Sequence, residues 1–151
     1  MVSSVKKLNF FVALNLPSAF LCGVRIKSIN QSSCITSVRH KWINKNPFKS
    51  MYWAVQGMSA ELATGALIII KLKELNKKIS MLVVSNDAEF IKKGRGIIRF
   101  KCDQGFEIDN ALKNAIETKE SQTIILNADG IDSKGDVISK FSFTWSLKLK
   151  P

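Results

Sequence analysis

The run from Met51 to Leu72 is the feature that most limits what this chain can become, because it is apolar nearly all round and too long for a strand. Such a helix has to be covered on most sides, by lipid or by protein. The roughly 20 residues from Met51 to Ile70 match a membrane span in length. Glu61, near the centre, would cost about 2.5–3.5 kcal/mol on insertion scales, and Gln56, Ser59 and Thr64 add to that cost. Basic residues flank both ends, with Arg39, Lys41 and Lys45 before and Lys71, Lys73 and Lys77 after, so nothing sets an orientation. The sequence therefore predicts a protein-covered core helix over roughly Pro47 to Leu75, with no membrane, with Asn46 as cap and Pro47 in its first turn.

The remaining elements supply a cover. Val24, Ile26 and Ser28 alternate with polar neighbours, Ser32-Ser33 turns the chain, and Ile35 to His40 reads as the second strand of a hairpin. After Lys78, Ile79, Met81 and Val83 alternate, and Ile97 to Cys102 follows a Gly94-Arg95-Gly96 turn. Ile108, Leu112, Ala115 and Ile116 at helical spacing make Gly105 to Thr118 a surface helix that interrupts the sheet. Thr123 to Leu126 leads through Asp132-Ser133-Lys134-Gly135 to Phe141, Phe143, Trp145, Leu147 and Leu149, which alternate strictly with polar residues in a half-buried strand. An antiparallel sheet of about six strands, curled around the long helix in one α+β domain, satisfies this order with few crossings.

Lys6 and Lys7 precede an apolar stretch that could pass for an export signal, but Asn9, Asn15 and Pro17 interrupt it, and Leu21 precedes Cys22 where a small residue would be needed. The reading preferred is a short helix that starts near Ser3 or Ser4, is stopped by Pro17 and packs on the domain, in a cytoplasmic protein. Three widely spaced cysteines form no C-x-x-C pair, which argues against a disulfide framework or a zinc site. No metal and no cofactor are expected. The formal charge of +11 attracts anions of any kind. Nucleic acid is disfavoured, because the aromatic residues alternate along an inward strand face instead of among the Lys and Arg.

The stretch Asn46-Pro47-Phe48-Lys49-Ser50-Met51-Tyr52-Trp53-Ala54, followed by Ala60-Glu61-Leu62-Ala63-Thr64-Gly65, resembles an uncharacterised bacterial family of hot-dog-fold proteins. That family is related to the phenylacetic-acid-degradation type of acyl-CoA thioesterases. The resemblance extends to Phe90-Ile91-Lys92-Lys93-Gly94 and to the turn at Asp132 to Val137, and so spans most of the chain. It implies a single hot-dog domain over residues 1–151, a homodimer or homotetramer, and an acyl-CoA or acyl-carrier thioester as ligand. The helix Gly105 to Thr118 has no counterpart in the family's simplest members.

In those enzymes an Asn, three residues before a Gly, leads into His-Gly-Gly at the start of the central helix, with an acid about two turns later. By that resemblance Asn46 takes the Asn and Glu61 the acid. Lys49 stands where the Gly would be, Tyr52 where the His would be, and Trp53 and Ala54 where the two Gly would be. Glu61 is then the candidate base or nucleophile, and Asn46 would orient water or substrate. Backbone N–H groups around Tyr52, Trp53 and Ala54 would form the oxyanion site. Gly57, Met58 and Gly65 leave room beside Glu61. Lys92, Lys93 and Arg95 at a hairpin turn would meet coenzyme A phosphates. A non-catalytic module that holds an acyl chain or hydrophobic metabolite in the same cleft is the alternative.

Overall fold

The computed structural model describes residues 4–151, so a helix start at Ser3 lies outside the described residues. The first helix, α1 (Val5–Asn15), is capped by Ser4, whose hydroxyl accepts from the Lys7 N–H at 3.4 Å. The first helix stops at Asn15, just ahead of Pro17. Pro17 then opens a second short helix, α2 (Pro17–Leu21), where its missing N–H costs nothing.

Then follow β1 (Arg25–Ile29), β2 (Cys34–Arg39), a 3₁₀ turn over Trp42–Asn44, the central helix α3 (Trp53–Leu75), β3 (Ile79–Phe90) and β4 (Ile97–Cys102). The chain closes with α4 (Gly105–Thr118), β5 (Gln122–Ile131) and β6 (Val137–Leu149). The six strands form one antiparallel sheet in the order β1-β2-β4-β5-β6-β3, curled around α3. This is the hot-dog arrangement, with an N-terminal helical segment and an inserted helix.

The apolar run of α3 is covered by protein. By length and composition it could cross a membrane, yet 67% of its most apolar window is buried inside the molecule. Ala60, Ala63, Leu67 and Ile68 are fully enclosed, each large one contributing about 1.5–3 kcal/mol of transfer free energy. From the sheet, Phe141, Phe143, Trp145 and Leu147 of β6 face the helix, as their alternation predicts.

The polar residues that argue against lipid prove to be the pins of the fold. Thr36 Oγ1 on β2 donates to the Ser59 carbonyl at 2.7 Å, Ser139 Oγ on β6 donates to Gln56 Oε1 at 2.7 Å, and Trp145 Nε1 donates to Thr64 Oγ1 at 3.0 Å. Each fixes helix and strand in register, and losing one partner would leave the other buried and unsatisfied.

The helix begins later than the sequence suggests, at Trp53 instead of Pro47, because Asn46 is spent elsewhere. Its Oδ1 accepts from the N–H groups of Phe48 and Ser50 at 2.9 and 3.2 Å, building an Asx-type loop over residues 46–51 that passes through Lys49 at φ 59°. Asn46 is thus not the cap. At the other end Asn76 takes the left-handed conformation that closes a helix.

The inserted helix α4 buries Ile108, Leu112 and Ala115. Asp109 reaches back to Lys71 of α3, whose Nζ is 2.8 and 2.9 Å from the two carboxylate oxygens and 3% exposed. At its first residue, a Cβ on Gly105 would stand 2.1 Å from the Gln31 carbonyl oxygen. Cys34 and Cys102 face each other across β2 and β4, fully buried. Burial pushes their thiols up to about 12 and about 11, so both are protonated and inert as nucleophiles.

Candidate functional site

Two features near the start of α3 can do chemistry or bind. The first is a cleft of about 480 Å³ between the 46–52 loop, the first turn of α3 and the segment after β3. Phe48, Tyr52, Trp53, Phe90 and Ile91 give it an apolar wall, and all five are about half exposed or more. Tyr52 packs edge-on to Trp53, Trp53 to Phe90, and Phe90 to Phe141, with ring centroids 6.2, 6.2 and 5.7 Å apart, so the wall continues into the core as one aromatic file. Apolar side chains held open in this way suit a hydrophobic ligand.

The loop and the hairpin are tied where they form the cleft. Met51 N–H donates to the Gly94 carbonyl at 2.8 Å, and Arg95 Nε donates to the Lys49 carbonyl at 3.1 Å. Gly94 is buried there, and a Cβ on it would press to 3.1 Å from Gln56 Nε2.

The first turn of α3 has no side-chain cap at Tyr52. The Val55 and Gln56 N–H groups turn back to the Tyr52 carbonyl, and those of Trp53 and Ala54 find no acceptor among the described residues. Two free donors at the positive end of a 23-residue helix favour a carbonyl oxygen that gathers negative charge. Trp53 flanks them with its ring on the cleft wall.

The second feature is Glu61. Ala54, Gly57, Met58, Glu61 and Leu72 fall on the strip of α3 that the sheet leaves partly open. The Glu61 carboxylate has no hydrogen bond or ion pair among the described residues, and burial pushes its pKa above the ordinary carboxylate range. A Cβ on Gly65 would lie 3.5 Å from Glu61 Oε1 and 3.4 Å from the Trp145 ring, so the glycine leaves room between acid and indole. Thr64 holds that ring, and its own hydroxyl donates to the Glu61 carbonyl at 2.8 Å.

The residues singled out in the sequence therefore separate into groups. Asn46, Tyr52, Trp53, Lys92 and Lys93 line the aromatic cleft. Glu61, Gly57 and Met58 sit on the open strip, with Gly65 buried one turn beyond Glu61, and Glu61 lies about 12 Å along the helix from Trp53 and outside the cleft wall. The amide of Asn46 is committed to its own loop, its Nδ2 donating to Ser50 Oγ at 3.0 Å. Lys92 is paired with Asp136 at 2.6 Å, while Arg95 holds the loop and does not line the cleft. Phe48, Phe90 and Ile91 complete the cleft wall without being among the candidate site residues the sequence points to. Three large apolar side chains beside the Asn-Pro and Lys-Lys-Gly turns were the available signal.

No protein-family model matches the chain, and no curated protein matches it. Among solved structures it is similar to a Pseudomonas aeruginosa protein of unknown function described as a probable thioesterase, with 18% identity, TM-score 0.83 and 96% of each chain covered. A protein of unknown function from Chlorobaculum tepidum TLS gives 20% identity and TM-score 0.82, covering 97% of this chain and 94% of that one. A thioesterase from Haemophilus influenzae gives 11% identity and TM-score 0.72, covering 99% and 93%. At such identities what is shared is architecture, over the full length of the chain: the hot-dog fold of thioesterase-like proteins.

Proposed function

We propose that the chain is a thioesterase-like hydrolase acting on an acyl thioester carried by coenzyme A or an acyl-carrier protein, in the cytoplasm. The observation that carries this reading is an unpaired, half-buried carboxylate on the open strip of α3, on the same helix as two unsatisfied N–H donors beside an aromatic cleft. In the reaction the acyl chain lies against Trp53 and Phe90, and the thioester oxygen accepts from the N–H groups of Trp53 and Ala54. Glu61 takes a proton from water as the water oxygen bonds to the carbonyl carbon. The C–S bond then breaks, the thiolate takes that proton, and the acid and free thiol leave. Direct attack by Glu61, through an anhydride that water opens, uses the same groups. Lys93, with no ion pair among the described residues, and Lys92 are the candidates for contact with the carrier's phosphates.

Glu61 and the cleft wall are separated along one chain, so the working site is proposed to form between two copies. The 12-residue edge strand β3 supports this, because among the described residues it pairs only with β6 and it exposes Leu82 and Val84. Sedimentation should give a dimer or tetramer; a monomer with full activity would remove the second copy from the site.

With a panel of acyl-CoA substrates, Glu61→Gln is expected to lower kcat at least 100-fold with the fold retained. An unchanged rate would exclude Glu61 from the mechanism. The second reading, an acyl-chain binder without turnover, is favoured by the position of Glu61 outside the cleft wall. Mass spectrometry that finds a bound lipid, together with absent hydrolysis by the unaltered chain, would select it.

A further inference from the structure

The outer face of the sheet carries a second concavity, about 270 Å³, on β1, β2 and β4, which shares no lining residue with the aromatic cleft. Its charged wall is Arg25, Lys27, Arg39, Lys41 and Arg99, with no acidic residue among its lining. At its floor Ser37 is 5% exposed, and its hydroxyl has no hydrogen-bond partner among the described residues.

Strand register explains the arrangement. Ser37 on β2 lies opposite Arg25 on β1 and opposite Arg99 on β4, so the serine sits between two arginines in one row across three strands. Like charges gathered on one sheet face cost roughly 0.2–1 kcal/mol for each close pair. The next row on the same face relieves that cost, since Lys101 lies opposite Asp129 and pairs with Asp103 at 3.4 Å. The row through Ser37 does not. None of the concavity's five cations has an ion-pair partner among the described residues.

Arg25 is also held in place. Its Nη1 donates to the Phe20 and Val24 carbonyls at 2.7 and 2.8 Å, and the guanidinium stacks 3.6 Å from the Phe20 ring centre. Nε and Nη2 stay free for a ligand. A planar, always charged, pre-oriented fork next to an unpartnered hydroxyl open to the concavity suits phosphate oxygens better than a flexible lysine surface does.

We propose that this concavity is a binding site for a diphosphate group, held by the Arg25, Arg39 and Arg99 guanidiniums with the Ser37 hydroxyl at its centre. The strand spacing places the backbones of Arg25 and Arg99 about 9–10 Å apart, on either side of Ser37. An anion charged at both ends reaches both arginines and the serine together, which a single phosphate does less well. The volume fits a diphosphate and leaves no room to enclose a nucleoside, so a nucleotide would bind by its phosphates with the base outside. The site is independent of the thioester reading and stands or falls without it.

Calorimetric titration of the full chain with pyrophosphate, ADP and orthophosphate tests the proposal. Pyrophosphate should bind at least 10-fold more tightly than orthophosphate. ADP as tight as pyrophosphate would identify a nucleotide as the source of the diphosphate, and weaker ADP a free diphosphate. Arg39→Ala with Arg99→Ala should weaken pyrophosphate at least 10-fold, and Ser37→Ala about 3-fold. Lys77→Ala with Lys78→Ala removes the same charge elsewhere and should change nothing. Equal losses in the two double variants would overturn the proposal in favour of diffuse attraction, as would binding of duplex DNA without binding of pyrophosphate.

Discussion

The two halves of α3 carry similar apolar residues and meet opposite fates. From Leu62 to Lys71 nearly every position is buried, and α4 covers the last turns through Ile108, Leu112 and the Lys71–Asp109 pair. From Trp53 to Glu61 no inserted element arrives, the first turn lacks a side-chain cap, and Trp53, Ala54, Gly57, Met58 and Glu61 remain partly open. A charge in the closed half is neutralised by a partner, whereas a charge in the open half is not. Lys71 serves the fold, and Glu61 is left available.

The largest effect is expected in the closed half. Asp109→Ala strands the Lys71 ammonium, 3% exposed, and should cost about 2–3 kcal/mol. That is below the usual cost for a fully buried pair, because Asp109 is 57% exposed and Gln31 still accepts from Lys71 at 3.4 Å. Lys71→Met, which leaves Asp109 to water, should cost under about 1 kcal/mol. Urea denaturation of both variants checks this, and equal losses would mean that α4 is not held by the buried charge.

A smaller effect of opposite sign is expected in the open half. Burial raises the Glu61 pKa, so the folded state holds this proton more tightly than the unfolded one, and its stability falls as pH rises through the folded pKa. Glu61→Gln should therefore raise the melting temperature at pH 8 and leave it nearly unchanged near pH 3, well below the ordinary carboxylate range, where the carboxyl is protonated in both states. In the proposed reaction, where Glu61 acts as the anion, the same shift would place the acid limb of the pH profile above the ordinary carboxylate range. A melting temperature unmoved at pH 8 would mean that the Glu61 carboxylate is well solvated and that the two halves of the helix differ little in how they treat a charge.

Much of this was readable from residue order. Strict alternation in Phe141 to Leu149 fixes a strand face, the spacing of Ile108, Leu112 and Ala115 fixes α4, and a lone Glu61 in an apolar helix marks the carboxylate. The start of α3 was not readable, because Asn46 has two local uses, a helix cap and an Asx loop, and the choice depends on Lys49 adopting positive φ and on Gly94 meeting Met51. Nor could spacing assign Gln56, Ser59 and Thr64, whose partners lie on β2 and β6, far along the chain. The row of Arg25, Ser37 and Arg99 exists only after three strands pair.

Gly105 shows how narrow the doorway for the inserted helix is. With 2.1 Å between its missing Cβ and the Gln31 oxygen, any side chain there must push the first hairpin aside by about an ångström or lift α4 away from α3. The position is therefore a single-residue veto on an element of 14 residues.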